Sequence, residues 1–493
     1  MKKYLLFPVL TIIALTLQSC STLERLTRGE TPLEQFRRRV DALFADSLFT
    51  ATTCGIKIVS LENGETLYER EAKTLLRPAS NMKLVTSAAA LATLGPHFSF
   101  KTELYADTAS SNDTLLGNIY VRGFGDPDLT SAQLADLLST LKTKGIAHIG
   151  GNVIGDASYF DDERWGTGWM WDDEPSGFAA YNSALSINRN CVEVTVTPAQ
   201  NAGDTAIVAI DPPTHYVSLL AAATTSPDTA PLTLEISRKF KERLNVITVR
   251  GQIPRGSKPQ KEELSVWQPE MYFLTQVKEE LQRENISFDG KLLLDTIPRS
   301  ALLLGRHLQP IDSMVVYLNK MSDNLSAENA LKSIGAECCG IPGTTLHGIS
   351  AVKRTLSTFG IDTAKFLMVD GSGVSHYDLL TPELLVSLLR GMYSRKDLFD
   401  LYYSSLPNAG VDGLLANRMK GTPAQNNLHA KTGTLGGVSA LSGYVTTTDG
   451  EMLCFSMMMQ NYIGSGEPYR RIQDAIGSLM AGFSRTHSTN GQK

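Results

Sequence analysis

The chain has 493 residues, 42% hydrophobic and 20% charged, with a formal net charge of −5. Its length allows roughly two to four domains at about 150 residues each, and its composition suits a globular protein with real cores. The acidic balance, without any compensating basic block, argues weakly against nucleic acid as the main partner. Six cysteines and eight histidines show no CxxC or HExxH spacing, so no metal site and no cofactor are expected.

Residues 1–19, MKKYLLFPVLTIIALTLQS, place two lysines ahead of an apolar run from Tyr4 to Leu17. That is the pattern of a secretory signal, and the run is short for a membrane-spanning helix. Leu17-Gln18-Ser19-Cys20 resembles a bacterial lipobox, in which Cys20 is lipidated, becomes the mature N-terminus and ties the protein to a membrane. Plain signal-peptidase cleavage is the alternative, because Gln18 stands where a small residue is usual. If Cys20 carries lipid, five cysteines remain, an odd number. Residues 20–46 read as a polar tether running into a helix.

CGIKIVSLENGETLYEREA then alternates apolar residues around Asn63-Gly64, which predicts a β-hairpin. A helix follows, with Pro78 at its entry, Ser80 in its first turn and Gly95-Pro96 at its end. Leu84, Val85, Ala88, Leu91 and Ala92 form one stripe at helical spacing, so this helix packs in a core. From 99 to 300 the texture changes: short strand-like runs such as LLGNIYVRG and LNVITVRGQI alternate with helices at SAQLADLLSTLKTKG and MYFLTQVKEELQRE. No obvious catalytic cluster stands there. From 301 the pattern is helical again, and LHAKTGTLGGVSALSGYVTTTDGEMLCFSMMMQNY closes the chain with three strands and a final helix. A hairpin near one end and antiparallel strands near the other predict one sheet built from both chain ends. Met457 to Met459 read as a buried strand.

Three triplets carry chemistry. Serine is a poor nucleophile near neutral pH and needs a base beside it. Lysine becomes that base when burial or a second cation lowers its pKa. Ser80 and Lys83, three apart on a helix, are neighbours, and a helix start favours an oxyanion at the serine. The SxxK pattern also occurs at Ser139–Lys142 and Ser350–Lys353, both readable as helix surface. Ser322-Asp323-Asn324 is an SxN triplet, a pattern repeated at Ser110, Ser186 and Ser488. Lys431-Thr432-Gly433-Thr434 holds the sole KTG, on a predicted strand whose backbone and hydroxyls suit a peptide carboxylate.

In the order SxxK, SxN, KTG, these triplets resemble those of the penicillin-binding-protein and serine β-lactamase superfamily. GFGDPDL (123–129), YNSALSIN (181–188), MSDNLSAE (321–328), DGSGVS (370–375) and LPNAGVDG (406–413) narrow the likeness. They resemble the D-alanyl-D-alanine carboxypeptidase/endopeptidase family of the penicillin-binding protein 4 type. His376 departs from the arginine common after DGSG-x-S, and Leu414 from the threonine that often follows the DG pair.

The resemblance implies an α+β fold, an antiparallel sheet flanked by helices, with one or two small β-rich domains inserted. The peptidase domain would comprise 47–98 and 301–485, the inserted segment 99–300, and the tail 486–493. It implies acyl transfer on peptidoglycan stem peptides. Ser80 attacks a D-Ala–D-X carbonyl, Lys83 takes its proton, and Ser322 relays a proton to the leaving amine with Lys431 nearby. Asn324 would hold the substrate amide, and Thr432, Gly433 and Thr434 its carboxylate end, with the N–H groups of Ser80 and Thr434 forming the oxyanion hole. β-Lactams would act as covalent inhibitors, and the enzyme would sit on the periplasmic side of a bacterial membrane. A β-lactamase or esterase on the same fold, or a non-catalytic peptidoglycan-binding lipoprotein, are the alternatives. Asp323 is expected to act structurally, Glu328 as an ion-pair or capping residue of its helix, and Asp126 as a turn former.

Overall fold

The computed structural model describes residues 30–486. The signal segment, Cys20 and the residues from 487 onward lie outside that range. Helix α1 (Pro32–Ala42) opens on a capping box: Thr31 Oγ1 accepts the Glu34 N–H at 3.2 Å, and the Glu34 carboxylate accepts the Thr31 N–H at 2.9 Å. It buries Phe36 and Val40.

Strands β1 (Thr53–Ser60) and β2 (Thr66–Arg70) form the hairpin expected around Asn63-Gly64. The closing strands are β3 (His429–Leu435), β4 (Val438–Thr446) and β5 (Met452–Gln460). They join the hairpin in one antiparallel sheet of order β2-β1-β5-β4-β3. The β1–β5 ladder runs from Thr53↔Gln460 to Ser60↔Leu453, so both chain ends share this sheet. Both faces are covered, which is why β5 reads as a nearly unbroken apolar run and β4 is buried along almost its whole length. On one face Ala440, Tyr444, Cys454 and Met458 meet α2 (Met82–Leu94), α4 (Asn324–Cys339) and α5 (Pro382–Ser394). On the other, Leu453, Phe455, Met457 and Met459 meet α1 and the final helix, Glu467–Ala481.

Between α2 and α3 (Ile311–Lys320) the chain builds a second core around Leu104, Val121, Leu137 and Phe273. Its main sheet has the order 292–294, 153–156, 119–123, 99–106, 302–310. Helices Ser131–Thr143 and Pro269–Arg283 pack beside it, and smaller sheets extend it. Leu302–Pro310 lies beyond the border drawn at residue 300, yet its hydrogen bonds go to Ser99–Ala106, with Pro310 opposite Ser99. Leu302, Leu303 and Leu308 are exposed, so no alternation of buried residues marked this strand in the sequence.

Among the described residues no helix is long and apolar enough to cross a membrane. All five described cysteines are free thiols.

Candidate active site

Ser80 lies in a 3-10 turn (Ala79–Asn81) that feeds α2, one step ahead of the α-helical turn expected from the sequence. The cause is Ala79, whose φ of +47° is left-handed and breaks the helical run. That conformation strains any residue with a Cβ by roughly 1–2 kcal/mol. It is held by close packing: a Cβ on Gly373 would stand 1.9 Å from the Ala79 carbonyl oxygen. Strain of this kind is concentrated at functional sites.

One turn on, the Lys83 side chain is wholly buried. Its Nζ donates to Ser80 Oγ at 3.1 Å, Asn324 Oδ1 at 2.5 Å and the Ser372 carbonyl at 2.7 Å. Burial lowers its pKa to about 8, against the opposing pull of Asp370, Asp323, Glu328 and Asp378. Lys431 is also fully buried and donates to the Thr432 carbonyl at 3.1 Å. Desolvation, and secondly the charge of Lys83, hold its pKa well below the ordinary lysine range.

Ser322 and Asp323 lie in the break between α3 and α4, and Asn324 begins α4. Asp323 caps α4 by accepting the Ser326 N–H at 2.7 Å, as its structural reading anticipated. Asn324 Oδ1 accepts from Lys83 and its Nδ2 donates to the Phe178 carbonyl at 2.6 Å, which leaves one N–H for a further partner. Glu328 differs from expectation. It is buried and makes no ion pair among the described residues; its carboxylate accepts the N–H groups of Gly371 (3.0 Å) and Ser372 (2.8 Å). Burial, with Asp370 nearby, raises its pKa to about 7. It thereby holds the loop whose Ser372 carbonyl receives Lys83. Asp126 does form a turn, accepting the Asp128 N–H at 2.9 Å.

Strand β3 is the sheet edge beside Ser80. Asn81 Nδ2 donates to the Lys431 carbonyl at 3.0 Å, latching the serine turn to the strand. Gly433 permits the contact, since a Cβ there would lie 2.7 Å from the Pro78 carbonyl oxygen. Ser80, Ser322, Asn324, Thr432 and Thr434 all line one cavity of about 450 Å³. The inserted segment supplies Met170, Asp173 and Phe178 to its wall, which Leu414 and His376 also line. Trp169 Nε1 donates to Asp370 Oδ2 at 2.9 Å, tying the same segment to the DGSG loop. The other two SxxK serines stay apart: Ser139 bonds the Asp136 carbonyl and Ser350 meets Arg354, both on exposed helix surface.

Residues 36–482 match the model of the D-Ala-D-Ala carboxypeptidase 3 (S13) family. The chain belongs to that family. It is a serine-type D-Ala-D-Ala carboxypeptidase, a hydrolase. The D-alanyl-D-alanine carboxypeptidase of Actinomadura sp. (strain R39) is 34% identical over 476 residues, 94% of this chain and 87% of that one. D-alanyl-D-alanine carboxypeptidase DacB of Haemophilus influenzae is 30% identical, covering 82% and 84%. The crystal structure of penicillin binding protein 4 from Haemophilus influenzae superposes with a TM-score of 0.80 at 28% identity, covering 89% of this chain and 98% of that one. Its complex with a novel β-lactam aligns with a TM-score of 0.75 at 26% identity, covering 90% and 99%.

Part of the cavity wall was missed in the sequence. The available signal was tryptophan density: three of the four tryptophans, Trp165, Trp169 and Trp171, fall within seven residues. Gly373→Ala cannot keep the Ala79–Ser80 turn in place. D-Ala-D-Ala carboxypeptidase activity should fall on the order of 100-fold, with a lowered Tm by thermal denaturation. Unchanged kinetics would show that this packing does not hold the site.

Proposed function

We propose that this carboxypeptidase works through a Ser80 acyl-enzyme. The supporting observation is the buried Lys83 amine, 3.1 Å from Ser80 Oγ, with its pKa brought down to about 8. Neutral Lys83 keeps two N–H bonds, to Asn324 Oδ1 and the Ser372 carbonyl, and turns its lone pair on the Ser80 hydroxyl. Ser80 Oγ then attacks the carbonyl of a D-Ala–D-Ala bond and its proton passes to Lys83. The N–H groups of Ser80 and Thr434 receive the oxyanion. The C–N bond breaks, and the leaving amine takes a proton through Ser322, with Lys431 nearby keeping the lysine and serine correctly protonated. Asn324 orients the substrate amide. Thr432 and Thr434 bind the terminal carboxylate, with Gly433 bringing the strand close. Water releases the acyl group by the reverse proton path. Penicillin would acylate the same serine and leave slowly.

The edge position of β3 and the apolar rim of Met170 and Phe178 favour an extended peptide, so the proposal includes endopeptidase action on D-Ala-linked cross-bridges. Export by the signal at 1–19 and lipidation at Cys20 would hold the enzyme on the periplasmic side of a bacterial membrane, beside peptidoglycan.

Fluorescent penicillin should give a stable covalent adduct that Ser80→Ala abolishes. Rapid loss of the label would indicate a β-lactamase, and absence of labelling would refute the acyl-enzyme reading. Pentapeptide and cross-linked muropeptides, analysed by mass, should lose D-alanine and be split into monomers respectively; intact dimers would remove the endopeptidase claim. Because Lys83 accepts a proton only when neutral, the reactive fraction falls about tenfold per pH unit below its pKa. The rate should therefore climb with pH and level off above about 8; a profile flat through that range contradicts Lys83 as the base. Cys20→Ala should move the exported protein from the membrane to the soluble fraction, whereas unchanged membrane retention would argue against the lipid anchor.

A further inference from the structure

Ser322 holds a backbone conformation that serine disfavours, with φ at +62°. A left-handed residue with a Cβ persists only where its surroundings over-determine it. Two ion pairs flank it. On the N-terminal side Lys320, the last residue of α3, pairs with Asp412. Asp412 in turn accepts the Asn408 N–H at 2.9 Å, within the LPNAGVDG stretch. On the C-terminal side Asp323 divides its carboxylate between the α4 cap and Arg189 Nη1, at 2.7 Å.

Arg189 comes from the inserted segment. Its backbone is itself unusual: Asn188, Arg189 and Asn190 are all left-handed, with φ of 47°, 58° and 56°. Side-chain bonds fix that turn. Asn188 Oδ1 accepts the Ser131 N–H at 3.0 Å, and Asn190 Nδ2 donates to the Tyr181 carbonyl at 2.8 Å. The guanidinium is held on three sides. It pairs with Asp323, it pairs with Asp128, and it lies 3.6 Å from the centroid of the Tyr317 ring on α3. The side chains of Arg189, Asp128 and Asp323 are 21%, 12% and 16% exposed. A planar, forked cation suits this place, where a lysine could neither stack nor reach both carboxylates in one plane.

We propose that Arg189 is a positioning residue of the peptidase site. Through Asp323 it fixes the left-handed Ser322 and the start of α4 that carries Asn324. The inserted segment thus contributes order to the catalytic geometry as well as wall to the cavity. This inference rests on the reading of Ser322 and Asn324 as working residues of the site.

The test is a double-mutant cycle on the full-length enzyme: Arg189→Met, Asp323→Asn and both together, with Ser322→Ala as the site control. Asparagine still caps α4, so Asp323→Asn removes the ion pair and spares the helix. Kinetics on a D-Ala-D-Ala peptide and thermal melting are measured for each. Each single variant should lose on the order of 10- to 100-fold in kcat, with KM little changed. The double variant should lose no more than Arg189→Met alone, since both changes break one clamp. Arg189→Lys, keeping charge without the fork, should recover part of the loss. Full activity in Arg189→Met beside a crippled Ser322→Ala overturns the inference, and so do single losses that multiply in the double variant. If Arg189→Met does not fold, wild-type kcat in Asp323→Asn overturns it equally. An unimpaired Ser322→Ala would instead refute the site reading, and the positioning role with it.

Discussion

A lysine amine taken wholly out of water is the constraint on which the site is built. Charged, it would be costly in that environment, and the fold meets the cost by lowering its affinity for a proton and by supplying acceptors from three separate elements. The Ser80 turn, the first residue of α4 and the DGSG loop each contribute one. None of the three can shift without leaving Lys83 partly unsatisfied. Lys431, also buried, resists protonation in its turn, through desolvation first and then through the charge of Lys83.

The supporting contacts form a second ring around that amine. Glu328 fixes the loop that offers the Ser372 carbonyl. Asn81 joins the serine turn to β3. Trp169 and the Phe178 carbonyl bring the inserted segment against Asp370 and Asn324. The two cores therefore meet beside Ser80, Lys83 and Asn324, and Met170, Asp173 and Phe178 contribute one wall of the cavity.

What the sequence showed best was local. Three-residue spacing brings Ser80 and Lys83 together whatever the tertiary fold, and the alternation around Asn63-Gly64 and the long apolar strands marked the shared sheet. The α+β class and the family followed from motifs that survive as short words. What stayed hidden depends on contacts between distant segments. Nothing local says that Ala79 and Ser322 are left-handed, because neighbours far along the chain impose it. Glu328 looks like any helix glutamate until the loop at 371 folds over it. Arg189 sits among asparagines, and its partners lie far along the chain at 128 and 323. The strand at 302–310 exposes three of its four leucines, so its partner strand alone identifies it.

That last strand has a consequence for how the chain is assembled. Phe98 and Ile311, the last and first residues on the peptidase side, are joined by a hydrogen bond of 3.0 Å, and Ser99 and Pro310 stand opposite each other in the adjoining ladder. Everything between them leaves and returns through one doorway. For the flanking sequences the long excursion is then equivalent to a tight connection, because closing so large a loop is accomplished by the excursion's own sheet. The halves of the peptidase domain, remote in sequence, become neighbours once that sheet exists. The accessory region is thus a clasp for the polypeptide: it makes a split domain behave as a continuous one.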